Sequence, residues 1–294
     1  MITLGAECVL SAPSVVGESP DWDGEERRLY WIDIRRQLVC RFDPRTRVNE
    51  QFPVDEIVTS LNFRRAGGLI LTLRKTFALF DVATGRLERL SDPEPELPGN
   101  RFNDSECDPE GRLWAGTMSD REWSAPKGSL YRLGPERHCS RIRSEVVCSN
   151  GTGWSPDGRT MYHTESFRYA VFAYDFDGPT GVIANRRAFL QLDSNGGEFP
   201  DGLTVDAEGF VWSAHVGKGR IVRYDPAGRP ERQVQLPVTR GTSCMFGGDD
   251  LRTLFITTAR ETLTPEMLAN EPLAGSLFAS DVGVAGRPGN RFAG

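Results

Sequence analysis

Two residue types that build many catalytic centres are scarce in this chain. Among 294 residues there are three histidines and six cysteines. No Cys-x-x-Cys pair occurs, and the histidines are too scattered for a zinc site of ordinary spacing, which leaves each at most a lone ligand. Cys8, Cys40, Cys107, Cys139, Cys148 and Cys244 are spread along the chain without a compact framework. A chain of this length needs no covalent staples, so free and mostly buried thiols are expected. Long apolar runs are missing too: none approaches the roughly 18 residues of a membrane span. The segment Met1 to Glu7 has neither a basic stretch nor a sustained apolar one, so no membrane association and a cytoplasmic location are expected. There is no dense stripe of Lys and Arg. With a net charge of -6 and a pI near 5.3, the surface repels a polyanion, which argues against nucleic acid as a partner. Amphipathic runs of period 3.6 are absent as well, and helical solenoids go with them.

What the chain does have is an internal repeat. Turns recur at Asp21-Trp22-Asp23-Gly24, Gly67-Gly68, Asp108-Pro109-Glu110-Gly111, Ser155-Pro156-Asp157-Gly158, Asp206-Ala207-Glu208-Gly209 and Gly247-Gly248-Asp249-Asp250. Each precedes an apolar, aromatic-rich strand. Gly takes positive φ and Asp bonds nearby backbone, so each turn marks a hairpin. Downstream lies a second signature, a short alternating strand ending in a turn, as in Cys40-Arg41-Phe42-Asp43-Pro44 and Val222-Arg223-Tyr224-Asp225-Pro226. A strand, a hairpin, two further strands and room for a polar outer strand make a four-stranded propeller blade. The expected fold is therefore all-β, a six-bladed β-propeller with four-stranded blades, formed by residues 1–294 as one domain. Two stacked β-sandwiches are the alternative, disfavoured because sandwiches do not repeat one turn motif six times.

Counting back from each turn to the start of the innermost strand places Glu18, Ser60, Asn103, Asn150, Asp201 and Thr242 at equivalent positions. All six carry side-chain oxygen. Equivalent positions in a ring converge on its axis, and Glu, Asn and Asp around one point suit a hard divalent cation completed by water. The competing explanation is that such residues at strand starts merely bond backbone and shape turns. Second strands return to the same rim near Asp33, Met118, Glu165 and His215. His215 is a candidate catalyst or, more simply, a packing residue. Ser119 to Lys127 is positioned as a lid, and Asp92 to Pro98 forms a stiff acidic connector into Arg101. The Arg101 guanidinium either presents a fork of donors to substrate oxygens or forms a surface ion pair.

The segments Gly17-Glu18-Ser19-Pro20, Arg101-Phe102-Asn103-Asp104, Trp114 to Met118, Ser149-Asn150-Gly151, Phe199-Pro200-Asp201-Gly202 and Thr242 to Gly248 resemble the gluconolactonase, senescence-marker-protein (regucalcin) and luciferin-regenerating-enzyme family, over nearly the whole chain. That resemblance implies a metal held by Glu18, Asn150 and Asp201, and sugar hydroxyls contacted by Arg101 and Asn103. Some relatives carry a lid Glu three residues after the Gly-Thr-Met motif. Here that position is Arg121, beside Glu122, so the lid contacts assigned to Arg121 and Glu122 differ from the family pattern.

The expected activity is hydrolysis of a sugar lactone to its aldonic acid. One divalent ion (Ca, Zn, Mg or Mn) polarises the carbonyl, and Asp201 is the catalytic residue at the attacking water. A monomer or weak homo-oligomer is expected. Three rivals stand beside this expectation: a phosphotriesterase or esterase using the same site, a calcium-binding regulator without catalysis, and a protein-interaction scaffold, which calls for a broad apolar or charged outer face that the sequence does not show.

Overall fold

The structure is a computed structural model describing residues 1–294. Its hairpin turns fall where the repeat puts them. Gly68, Gly111, Gly158 and Gly209 have φ of 71°, 88°, 65° and 83°, a region open to glycine and strained for other residues. In the third and fifth hairpins the Asp folds back on its own turn. Asp108 accepts from the backbone of Glu110 and Arg112 and from Trp114 Nε1 at 2.9 Å. Asp206 accepts from Glu208, Phe210 and Trp212 Nε1 in the same way.

The innermost strands run Gly17–Asp23, Val58–Phe63, Asn100–Cys107, Ser149–Trp154, Phe199–Val205 and Gly241–Gly247. Each begins one antiparallel sheet, and each packs on the next, the sixth on the first. The six-bladed propeller is therefore as expected from the repeat. Between every pair of neighbouring blades lies an apolar layer. Ile32 and Val39 meet Leu61 and Leu71 between blades 1 and 2, and Trp114 meets Trp154 and Met161 between blades 3 and 4. Trp22 and Trp31 meet Phe255 and Leu277 between blades 6 and 1. Burying each such side chain contributes about 1.5–3 kcal/mol, so ring closure is driven by these layers.

Two features depart from a simple sixfold repeat. The sixth blade takes its outer strand from the amino end: Glu7–Leu10 pairs with Leu277–Asp281, which ties the two ends of the chain into one sheet. Ile2–Gly5 adds a fifth strand, parallel to Pro230–Gln235, at the edge of blade 5. Beyond the last strand the chain crosses the face opposite the cavity described below. Ala285 accepts from Ala207, Asn290 donates to Cys107, and Phe292 exchanges backbone bonds with Phe63 and Arg65. Helix is confined to Ser166–Arg168 and Pro265–Asn270, and no helix is long and apolar enough to cross a membrane. All six cysteines are free thiols, four of them buried.

Candidate active site

Every innermost strand breaks register with its neighbour near its first residues. The ladder skips between Glu18 and Asp21, Val58 and Ser60, Phe102 and Ser105, Ser149 and Thr152, Pro200 and Leu203, and Gly241 and Ser243. A bulge leaves residues unpaired and re-aims their side chains. Asn103, Asp104, Asn150, Asp201 and Thr242 all sit inside these gaps, and Glu18 sits at the edge of one. Close packing of bulges needs glycine. A Cβ on Gly151 would collide with the backbone of Asp201, Gly202 and Leu203, and one on Gly202 with Ser243.

The bulges surround a concave cavity that opens to solvent at its mouth, the form of a small-molecule site. Five of the six register residues line it; Ser60 instead is buried and bonds Thr72 and Ser105. Asn150 Nδ2 donates to Asp201 Oδ1 and to Ser166 Oγ. The amide can present its oxygen by turning over, since O and N exchange places on rotation. Glu18 accepts from the backbone of Ser19 at 2.9 Å.

The electrostatics are those of a site short of positive charge. Burial, then the charges of Asp201 and Asp104, pushes the Glu18 carboxyl well above the ordinary range. Asp201 is raised by burial and by Asp104, against the hydrogen bond from Asn150. Burial also lifts Asp104, to about 6. No three His, Cys, Asp or Glu side chains converge tightly enough to chelate an ion alone. The set assembled here is mixed: the carboxylates of Glu18 and Asp201 and the amide of Asn150, with Asp104 nearby. An all-oxygen set of this charge fits a hard divalent cation.

Arg101 is buried at the cavity wall. Its Nε donates to Asp120 at 3.1 Å, and Nη1 donates to Asn103 Oδ1 at 2.7 Å and to the Phe102 carbonyl. Asn103 in turn donates to the Ser149 carbonyl at 2.8 Å. Asp120 is gripped from its other oxygen by Arg74 at 2.7 Å. Of the lid, Trp123 lines the cavity, stacked on Phe167, which meets Phe199. Arg121 and Glu122 do not line it: both are exposed, and Glu122 pairs with Lys127 at 2.5 Å. The three rim groups Asp33, Glu165 and His215 are structural. Asp33 accepts from the backbone of Val15 and Val16, Glu165 from Val147, Arg168 and Arg186. His215 is enclosed between Glu198 and Tyr224 and lies outside the cavity lining.

Sequence reasoning gave no role to Asp104, to Asp120 in the lid, to the aromatic wall or to Arg240, all at or against this cavity. Asp104 was within reach, since it belongs to the Arg101-Phe102-Asn103-Asp104 segment. Counting one residue per blade hides the second residue that the bulge brings to the axis.

Fold and site together define a six-bladed propeller with an acidic, oxygen-rich cavity at one end of its channel. The model of the SMP-30/gluconolactonase/LRE-like region matches residues 16–260, and the chain belongs to that family. It is 36% identical to regucalcin of Oryctolagus cuniculus over 300 residues, covering all of both chains. It is also 36% identical over 291 residues to YvrE of Bacillus subtilis (strain 168), to which a sugar lactone lactonase activity is ascribed, covering 98% of this chain and 99% of that one. Among solved structures, regucalcin from Agrobacterium tumefaciens, described as a calcium-binding protein, superposes with a TM-score of 0.94 at 26% identity. That match covers 99% of this chain and 98% of the other.

Proposed function

We propose that the protein hydrolyses a sugar lactone to the corresponding aldonic acid with a divalent cation held by Glu18, Asn150 and Asp201. The observation that carries this is the convergence of those three side chains in one cavity whose wall holds the Arg101–Asn103 fork. Lactonases among the family's named members support the reaction class. A cation bound there supplies Lewis acidity to the lactone carbonyl and lowers the pKa of water. Asp201 takes a proton from the attacking water at a carboxylate oxygen. The water oxygen bonds to the carbonyl carbon, the ring C–O bond breaks, and the proton held by Asp201 passes to the departing ring oxygen, which becomes a hydroxyl. Arg101 and Asn103 orient the sugar hydroxyls, and positioning of this kind lowers the barrier. The wall of Trp123, Phe167 and Phe199 gives the C–H face of a sugar ring an apolar surface and screens the site from water.

Acid release from a panel of aldonolactones, with chelator and with Ca, Zn, Mg or Mn added back, tests the proposal. Asp201→Ala should abolish turnover while the protein stays folded. Undiminished turnover by that variant, or by chelated protein, would remove the mechanism. The calcium-binding description of the Agrobacterium relative favours one second reading, a calcium-binding protein without catalysis. Tight calcium binding with no turnover of any lactone would establish it.

A further inference from the structure

The cavity lining contains two arginines, Arg101 and Arg240, and they differ in one respect. Arg101 is engaged at Nε and Nη1, whereas Arg240 Nε is buried with no hydrogen-bond partner and its guanidinium enters no ion pair within the molecule. The nearby carboxylates are already occupied. Glu261 accepts from Arg35 at 2.6 Å, and Glu271 accepts from the backbone and hydroxyl of Thr239. Asp120, the ion-pair partner of Arg101, is shared with Arg74. The floor of the cavity is acidic, yet Arg240 on its rim forms no ion pair with any of these carboxylates.

The placement of these cations is specific. Arg101 and Asn103 belong to blade 3, and Arg240 immediately precedes the innermost strand of blade 6. Three steps apart in a ring of six, these blades face each other across the mouth. Glu18, Asn150 and Asp201 come from blades 1, 4 and 5, between them. Arg101 and Arg240 thus line one cavity from opposite blades, with that trio in the lining between them. A buried guanidinium nitrogen without an acceptor is costly to leave unpaired, and its planar fork matches a carboxylate or phosphate.

We propose that Arg240 binds an anionic substituent, a carboxylate or a phosphate, carried by the substrate at the end remote from its lactone carbonyl. The inference rests on the lactonase reading above and narrows its substrate to anionic lactones.

The test compares the metal-loaded full chain with Arg240→Gln and Arg240→Lys on three lactones. These are neutral D-glucono-1,5-lactone, a D-glucarolactone bearing a carboxylate, and the 6-phosphate of gluconolactone. In wild type, kcat/KM should be highest for one of the two anionic lactones, and which of them distinguishes carboxylate from phosphate. The anionic-to-neutral ratio should fall about 10- to 100-fold in Arg240→Gln, as for loss of a hydrogen bond to a charged group, and Lys should restore part of it. A ratio unchanged in Arg240→Gln, or a wild type that prefers the neutral lactone, overturns the inference and leaves the lactonase reading standing. Calorimetry with D-glucuronate, glucose 6-phosphate and glucose separates the two claims if no lactone is hydrolysed. Binding of an anionic sugar that Arg240→Gln abolishes then upholds the anion site alone, and no preference for an anionic sugar over glucose sinks it as well.

Discussion

Asn150 and Asp201 are 51 positions apart in the chain, and they meet as a hydrogen-bonded pair across the seam between blades 4 and 5. What lets them meet is Gly151, whose missing Cβ leaves room for the backbone of Asp201, Gly202 and Leu203. Gly151→Ala should therefore part the two strands that carry the proposed metal ligands, lowering bound metal per chain and reducing kcat/KM on the best lactone about 100-fold, the scale of a misplacement near 1 Å. Gly153→Ala is the control. There the added methyl meets only side-chain ends, Leu203 Cδ1 at 2.9 Å and Val205 Cγ2 at 3.1 Å. Elemental analysis with steady-state rates checks both, and equal losses in the two variants would count against the argument.

The charge crowded around Asp201 makes a second expectation about stability. Glu18 and Asp201 raise each other's cost of ionising, and Asp104 raises both. Without a cation that repulsion weakens the fold, so chelation should lower the Tm of the wild type. Asp201→Asn keeps the shape and removes one charge. The chelated variant should unfold a few degrees above the chelated wild type, corresponding to about 1–3 kcal/mol, although it no longer opens lactones. Scanning calorimetry in chelator measures this, and a variant that melts below wild type there would contradict it.

The architecture was legible because each blade repeats a hairpin whose Asp and Gly are demanded by local geometry, as Asp108 with Gly111 and Asp206 with Gly209 illustrate. That Glu18, Asn150 and Asp201 line one cavity was legible by the same count, since equivalent positions in a ring share an axis. Ser60 obeyed the count and still turned away, because Thr72 and Ser105 satisfy its hydroxyl. Asp104 escaped because a bulge presents two residues where a regular strand presents one. Arg121 and Glu122 stood at the expected place along the chain, but the lid turns Trp123 inward instead. The strand Glu7–Leu10 closing blade 6 carries no repeat motif, since its partner is chosen by where the ring ends.

Asp120 touches no bound molecule in the proposed chemistry; it holds Arg101 through Nε and is itself fixed by Arg74. It is a positioning residue. Asp120→Asn weakens a charge-assisted bond, so Arg101 should sample more orientations. KM for the lactone should rise about 10-fold with kcat changed less, since each kcal/mol or so of lost orientation appears in binding. Bound metal should stay constant, which a general loosening of the cavity would not allow. A fall in kcat with KM unchanged would show that Asp120 acts on the chemical step instead.

His163 supplies a pH dependence of folding that is separate from the cavity. It is buried, with Nδ1 3.1 Å from Thr152 Oγ1 and Nε2 3.4 Å from Ser149 Oγ, in blade 4. Burial, opposed by the charge of Glu165 and aided by Arg143 and Arg186, pulls its imidazole from 6.5 down to about 4. The unfolded chain takes up the proton near pH 6.5 and the folded chain only near pH 4, so the unfolded state binds more protons in between. Stability from the neutral imidazole is therefore complete above pH 6.5 and is lost as pH falls toward 4, by up to about 3 kcal/mol. His163→Gln has no proton to gain. Denaturant titrations at pH 7 and pH 4.5 should show the wild type losing about 2–3 kcal/mol more than the variant over that interval, the raised carboxylates contributing equally to both. Parallel losses would mean that the folded protein admits the proton to His163 at an ordinary pH.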